Sequence, residues 1–376
     1  MGYGVMANIF DYITWRGDLR FTQSPLNPVD NIIFSQLAYL PLDGIAPGPD
    51  DDGSITVSRA AEIFNQKLLH DARIEQAIVF KEDPALLRAM GFSQRFGNCR
   101  LYGYVNLIDV ERQVQFAAIC VNTGDNADYV VYRGTDLTLI GWKEDFNMCF
   151  NEVVPAQIEA VHYLEKMAHK TNGPLRIGGH SKGGNLAIYA ASQCSAKIQR
   201  RITDIYSNDA PGFHEKVIAS DGFTEIKSRI HSFIPQESVV GLLLEHGNDH
   251  CVIKSAQTGL RQHELHSWEV THNDMVHLDS ITQGSQFINK TLREWISELD
   301  IEHREQFFEA LYTILSASQA KSLPELGSSW FRNASLMLKS LGNIDDSTRA
   351  LIRKTLASLI STARRNIDTL LKPVEE

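Results

Sequence analysis

A serine hydroxyl becomes a nucleophile only where a base can take its proton, and the stretch Gly179-His180-Ser181-Lys182-Gly183 offers a serine in a setting built for that purpose. It is a G-x-S-x-G pentapeptide. The apolar run Leu175-Arg176-Ile177-Gly178 precedes it, and a small-residue helical pattern from Gly183 to Ala191 follows. Strand, sharp turn and helix are the context in which this motif lifts a serine clear of a sheet. The flanking glycines suit a turn too tight for side chains. A phosphate-cradling loop is the competing use of so many glycines. That loop needs Gly-Lys-Ser/Thr in order, whereas here Ser181-Lys182-Gly183 runs the other way.

Ser181 then requires a base, an acid and an oxyanion hole, in the chain order serine, acid, histidine. Of the 13 histidines, His263, His266, His272 and His277 follow the last strand-like run. His263 sits in a short loop after Cys251–Ser255, where a base should hang, and His266 is the alternative. His180 is expected to shape the elbow or touch substrate, because its position aims it away from the serine Oγ. Asp209, in Ser207-Asn208-Asp209-Ala210-Pro211-Gly212, is the expected acid, since Ala-Pro-Gly turns the chain sharply at a strand end. Glu237, after the next strand, is the alternative acid; both places can orient an imidazole through its Nδ1–H. Asp145 precedes the serine, against the usual order. The oxyanion donors are expected from the backbone of Lys182 and of Thr135-Asp136, the loop after Tyr129–Tyr132, with Arg133 anchoring that loop.

The elements that must position these groups alternate along the chain. Helical patterns run over Asn8–Trp15, Asp30–Tyr39 and Thr56 to about Met90, the last serving as a cap or an N-terminal layer. β-rich runs follow at Leu101–Ile108, Val114–Val121 and Tyr129–Tyr132, then a helix from Pro155 to Lys170, the elbow strand and its helix. Further strands are expected at Asp204–Ser207, Ile230–Ile234 and Cys251–Lys254. This order predicts an α/β fold with a mostly parallel central sheet and flanking helices. The expected organisation is a catalytic domain over 1–285, including an N-terminal helical segment over 1–95, and a C-terminal helical extension over 286–376. In that extension Ile352, Leu356, Leu359, Ile360, Ala363, Ile367 and Leu370 share one helical face, and arginines crowd the others.

Composition narrows the partners. A net charge of −10 and a pI near 5.7 disfavour nucleic acid, which wants a basic face. No run of 18 apolar residues predicts a membrane span, although the Arg-flanked C-terminal helix leaves peripheral membrane contact open. The N-terminus lacks a basic n-region and a cleavable apolar stretch, so no signal peptide is expected. Five scattered cysteines suggest buried thiols in a reducing compartment, the cytoplasm, with no metal-ligand spacing. No cofactor is expected, and the substrate class is a small-molecule or lipid ester. The reading from another class is a catalytically silent fold serving as a binding or regulatory module.

Several blocks together resemble the bacterial Mbeg1-like (DUF2974) family. They are Y-I-T-W-R-G-D-L (Tyr12–Leu19), N-P-V-D-N (Asn27–Asn31), R-G-T-D (Arg133–Asp136), G-W-K-E-D-F-N-M (Gly141–Met148), G-H-S-K-G-G-N (Gly179–Asn185), P-Q-E-S-V-V-G (Pro235–Gly241) and Q-H-x-x-x-S-W (Gln262–Trp268). The blocks cover roughly residues 8–275. The resemblance implies an α/β-hydrolase branch near the class 3 lipases, with Ser-Asp-His chemistry on an ester, and gives no substrate. R-G-T-D is similar to the oxyanion segment of those lipases. The N-D-A-P-G-F block looks like the acid-bearing segment of pancreatic-type lipases, which supports Asp209. One departure stands out. The family usually reads Q-H-D-P-F-S-W, whereas here Glu264, Leu265 and His266 follow His263.

Overall fold

A computed structural model describes residues 6–136, 144, 147–148, 151–298, 357–358, 361–362 and 365–366. Asp145, Cys149 and most of the amphipathic stretch over 346–371 lie outside the described residues.

Two asparagines start the N-terminal helices. Asn8 caps α1 (Ile9–Arg16) and Asn27 caps α2 (Pro28–Leu37), each in a reciprocal capping box with the aspartate three residues on. Asp30 of the second box has another task. Its carboxylate receives the Arg95 guanidinium at 2.5 and 2.7 Å, with both side chains fully buried. The remaining Arg95 donors go to the carbonyls of Leu19, Ser24 and Pro25. A buried charge is tolerable only when paired and fully hydrogen-bonded, and this one staples the loop 19–25 and α2 to α6 (Gln94–Gly97). The long helical pattern of residues 56–90 is broken into α3 (Val57–Leu68), α4 (Ala72–Ala77) and α5 (Asp83–Phe92).

Among the described residues nine strands follow one another across a single sheet in chain order: β1 (Ile55–Thr56), β2 (Arg100–Asp109), β3 (Val114–Asn122), β4 (Asp128–Tyr132), β5 (Leu175–His180), β6 (Ile202–Asn208), β7 (Ile230–Pro235), β8 (Cys251–Ile253) and β9 (His277–Leu278). The expectation of a mostly parallel sheet is corrected. β4 to β8 pair in parallel, but β1 to β4 and the β8–β9 pair are antiparallel, so the sheet is mixed. For β2–β3 and β3–β4 the reason is the length of the links. Residues 110–113 and 123–127 join β2 to β3 and β3 to β4, whereas a parallel crossover takes about a dozen residues or more. The parallel part is the part that carries the elbow.

The strands alternate between two cores. Ile119, Val121, Tyr129 and Val131 face the N-terminal helices. Ala118, Cys120, Val130 and Tyr132 face the helix Pro155–Ala168 and the elbow helix Lys182–Gln193. The N-terminal segment is therefore a full layer over one sheet face. The helix Gln283–Glu298 spans residue 285, and Ser285 fastens its first turn by donating to the Ser238 carbonyl at 2.7 Å. In its middle Asn366 donates to Thr291 Oγ1 at 3.1 Å, and at its far end Arg365 pairs with Glu298. No helix among the described residues is long and apolar enough to cross a membrane. Cys99, Cys120 and Cys194 are buried free thiols, but Cys251, expected buried, is exposed because its strand lies near the sheet edge.

Candidate active site

The elbow is as tight as its glycines imply. Ser181 follows β5 with φ 57° and ψ −133°, a conformation costing a non-glycine residue about 1–3 kcal/mol unless its surroundings enforce it. They do. A Cβ on Gly179 would lie 2.4 Å from the Gly183 carbonyl carbon, and one on Gly183 would lie 2.2 Å from the Tyr132 oxygen. The Ser181 N–H donates to the Asn208 carbonyl at 2.9 Å, which ties the turn to the end of β6. The loop after β4 lies against the same turn. A Cβ on Gly134 would approach Tyr39 Oη to 2.2 Å, the His180 oxygen to 2.6 Å and Ser181 Cβ to 3.0 Å. Thr135 and Asp136 come next, half-buried. Arg133 is 4% exposed and donates to Asp136 Oδ2 at 3.0 Å and Asn106 Oδ1 at 3.1 Å, the anchoring role expected of it.

Asp209 stands at the next strand end, also at positive φ (47°), with its N–H donating to the Phe233 carbonyl on β7. Its Oδ2 lies 2.6 Å from His263 Nδ1. Its Oδ1 accepts from the Ser238 hydroxyl at 2.5 Å and the Gly241 N–H at 3.1 Å. The carboxylate is thus buried and fixed from both oxygens, and the imidazole presents Nε2 outward from that pair. Gly184 and Asn185 hold the segment behind the acid. Asn185 accepts from Gln157 and donates to the carbonyls of Gly212 and Pro211 at 2.7 and 3.1 Å. A Cβ on Gly184 would lie 2.7 Å from that of Ala210.

His263 ends a 3₁₀ turn, Gly259–His263, and the rest of its sequence block builds that turn. Gln262 is buried, accepts from the Glu237 N–H at 2.9 Å and donates to the Gln257 carbonyl. Fully buried Trp268 donates its indole N–H to the Gln262 carbonyl at 2.8 Å. Glu237 accepts from the Gly259 N–H at 2.5 Å, a loop clamp rather than a contact to the imidazole. His266 turns the other way, with Nε2 2.8 Å from Asp83 Oδ1 and its ring stacked on Phe10. Burial raises the Asp83 carboxyl above its usual range. His272 packs beside Trp15, and His277 lies 3.2 Å from Asp274. Of the four expected histidines, only His263 meets Asp209.

Among the described residues no hydrogen bond joins Ser181 Oγ to His263 Nε2. The two share one sheet edge, and the ring of His180, next to the serine, lies 4.4 Å from that of His263. Such contacts are often long without substrate and tighten in the reacting complex.

Two features escaped the sequence reading. The Lys182 ammonium is 1% exposed and sits 2.8 Å from Glu144 Oε2, 2.8 Å from Gln115 Oε1 and 2.9 Å from the Gln115 carbonyl. Glu144, fully buried, also accepts from the Gln115 and Ala156 N–H groups. The signal was a lysine inside an otherwise small and apolar helix, which demands a buried counter-charge. The second feature is the contact of His180 with Tyr39 on one side and the His263 backbone on the other.

A cavity of about 920 Å³ lies elsewhere, between the loop carrying Leu244, His246 and His250 and the helix carrying Asn289 and Arg293. Ser181, Asp209 and His263 do not line it, so its volume says nothing of an acyl pocket. Among the described residues no group of three or more His, Cys, Asp or Glu side chains is placed to hold a metal ion.

The fold and site together define a mixed α/β protein with a serine on a tight strand-to-helix turn and a buried aspartate bound to a part-exposed histidine at the C-terminal edge of its parallel strands. The Mbeg1-like family profile matches residues 90–313, and the chain belongs to that family. No curated protein matches. Among solved structures it is similar to the Rhizomucor miehei lipase propeptide complex. Against a deletion mutant of that lipase the identity is 14% and the TM-score 0.34, over 53% of this chain and 64% of the lipase chain. Against the native form they are 12% and 0.33, over 52% and 66%. The chain thus spans slightly under two thirds of the length of either lipase chain.

Proposed function

We propose that the protein is a serine hydrolase acting on acyl esters, with Ser181 as nucleophile, His263 as base and then acid, and Asp209 as the group that orients the imidazole. The observation carrying this reading is the 2.6 Å contact from His263 Nδ1 to a buried, doubly anchored Asp209, set at the strand end beside a strained Ser181. In this scheme Nδ1–H donates to Asp209, which leaves the Nε2 lone pair for the serine proton. The alkoxide attacks the ester carbonyl, and the backbone N–H groups of Lys182 and of Thr135 or Asp136 receive the oxyanion. The imidazolium returns its proton to the leaving alcohol, and water then releases the acid from the acyl-enzyme. Membership of the family supports the reading without naming a substrate; a lipid or lysolipid ester is the class we favour. The buried thiols Cys99, Cys120 and Cys194 fit a reducing, cytoplasmic setting.

A fluorophosphonate probe should label Ser181 in the folded protein and leave Ser181→Ala unlabelled. p-Nitrophenyl esters of graded length should be hydrolysed with an acyl-length preference. A second reading, a silent fold acting as a binding module, is favoured by the open Ser181–His263 contact. Absence of an adduct on Ser181 in natively folded protein would sink the nucleophile claim, and absence of ester hydrolysis as well would leave the binding-module reading.

A further inference from the structure

The orientation of the base depends on its backbone as well as its ring, and that backbone is held by a side chain the scheme above does not use. His180 Nε2 lies 2.7 Å from the His263 carbonyl oxygen. A carbonyl oxygen only accepts, so Nε2 must carry a hydrogen. The His180 ring is 1% exposed, and burial, helped by the neighbouring His263, pushes its pKa well below the ordinary histidine value. The ring is therefore neutral and has a single N–H. Nδ1 is left with a lone pair and can only accept. The Tyr39 hydroxyl, 2.9 Å away and 2% exposed, is the donor.

We infer that Tyr39 and His180 form a tautomer lock that positions His263: the Tyr39 hydroxyl fixes the His180 proton on Nε2, and that proton holds the His263 backbone in register with Ser181. Both are positioning residues, and their role rests on the hydrolase reading. Tyr39 is well placed for it. Its hydroxyl fills the space above Gly134, so one oxygen touches the oxyanion loop and steers the ring between nucleophile and base. The His263 carbonyl favours the proton on Nε2, and the hydroxyl adds to that preference by bonding the Nδ1 lone pair; without the hydroxyl, placing the proton on Nδ1 costs less. A bare Nε2 lone pair would then face the His263 oxygen at 2.7 Å, and the two would repel. The base loop would shift, and small displacements of a catalytic group are costly to turnover. The lock also has a charge consequence. When His263 takes the serine proton it becomes a cation beside His180, and a neutral His180 adds no repulsion to that step.

The first measurement needs no activity. In the full chain labelled with ¹⁵N, long-range imidazole correlations at pH 7 should show His180 as the Nε2–H form, with Nδ1 unprotonated. An Nδ1–H pattern, or fast averaging of the two, would overturn the lock. In Tyr39→Phe the His180 signals should move toward the averaged pattern. Ester turnover and the rate of fluorophosphonate labelling should each fall about 10- to 100-fold, with KM little changed. His180→Gln, which can still offer an amide N–H to the His263 carbonyl, should retain more turnover than His180→Phe. Unchanged turnover in a folded Tyr39→Phe, or equal losses in the two His180 variants, refutes the positioning role. If Ser181 of the parent protein takes no probe, the hydrolase reading fails, and the tautomer spectrum alone then decides the lock.

Discussion

Replacing Lys182 by Met tests how the elbow is tied to the rest of the fold without touching the backbone N–H proposed as an oxyanion donor. The ammonium is 1% exposed, with three acceptors within 2.9 Å, and Glu144 is fully buried. Removing one partner of such a pair leaves the other charged and unpaired, a change costing about 3–5 kcal/mol. Here Glu144 keeps two backbone donors, from Gln115 at 3.2 Å and Ala156 at 2.8 Å, which moves the expectation to the lower end, about 3 kcal/mol. Glu144→Gln should also destabilise. In the double variant Lys182→Met/Glu144→Gln the Glu144 charge is not stranded, so its loss should fall short of the sum of the single losses by about 2 kcal/mol. Urea unfolding followed by tryptophan fluorescence measures all three. Strict additivity, or a loss below about 1 kcal/mol for Lys182→Met, would refute the reasoning, because a charge left unpaired inside the protein cannot be tolerated without cost.

The two candidate acids should separate sharply. Asp209→Asn, which presents the imidazole with the wrong tautomer partner, should lower turnover by about 10³- to 10⁴-fold, while Glu237→Gln, losing only a clamp on Gly259, should lower it less than about tenfold; the reverse ranking would move the role to Glu237. Acid stability should report the buried imidazoles. Burial, with a smaller push from His250, lowers His246 to about 3, so below about pH 6.5 the unfolded chain binds a proton that the folded chain refuses. The contribution is whole above that pH and is lost as the pH falls. Relative to His246→Asn, the parent protein should therefore lose about 1.4 kcal/mol per pH unit between about pH 5.5 and 4, and about half that near pH 6.5. Parallel stability curves for the two proteins would contradict this.

What the sequence revealed follows how locally each feature is determined. The elbow was legible because strand, glycines and serine are consecutive, and steric crowding leaves no other residue at Gly179 or Gly183. Asp209 and His263 were legible as places in the chain order, while their contact across 54 residues was not. Strand direction between β2 and β4 was missed although the link lengths held the answer, since the alternation of apolar runs weighed more than the brevity of residues 110–113 and 123–127. Tyr39 looked like the last residue of an apolar helical pattern. Nothing local says that its hydroxyl reaches a histidine 141 positions away. The same is true of Asp30 with Arg95 and of Glu144 with Lys182, whose pairing is visible only once both are buried.

The positive φ of Ser181 bears on whether the fold is silent. Glycine at 181 would relieve the backbone of about 1–3 kcal/mol at no cost to the packing of Gly179 and Gly183. A protein drifting under selection for persistence alone would find that exchange among the easiest gains on offer. Glycine would give back about 0.5–1 kcal/mol through the extra chain freedom it loses on folding, so the net gain is smaller but of the same sign. On the hydrolase reading, Ser181 is stability forgone for one hydroxymethyl group.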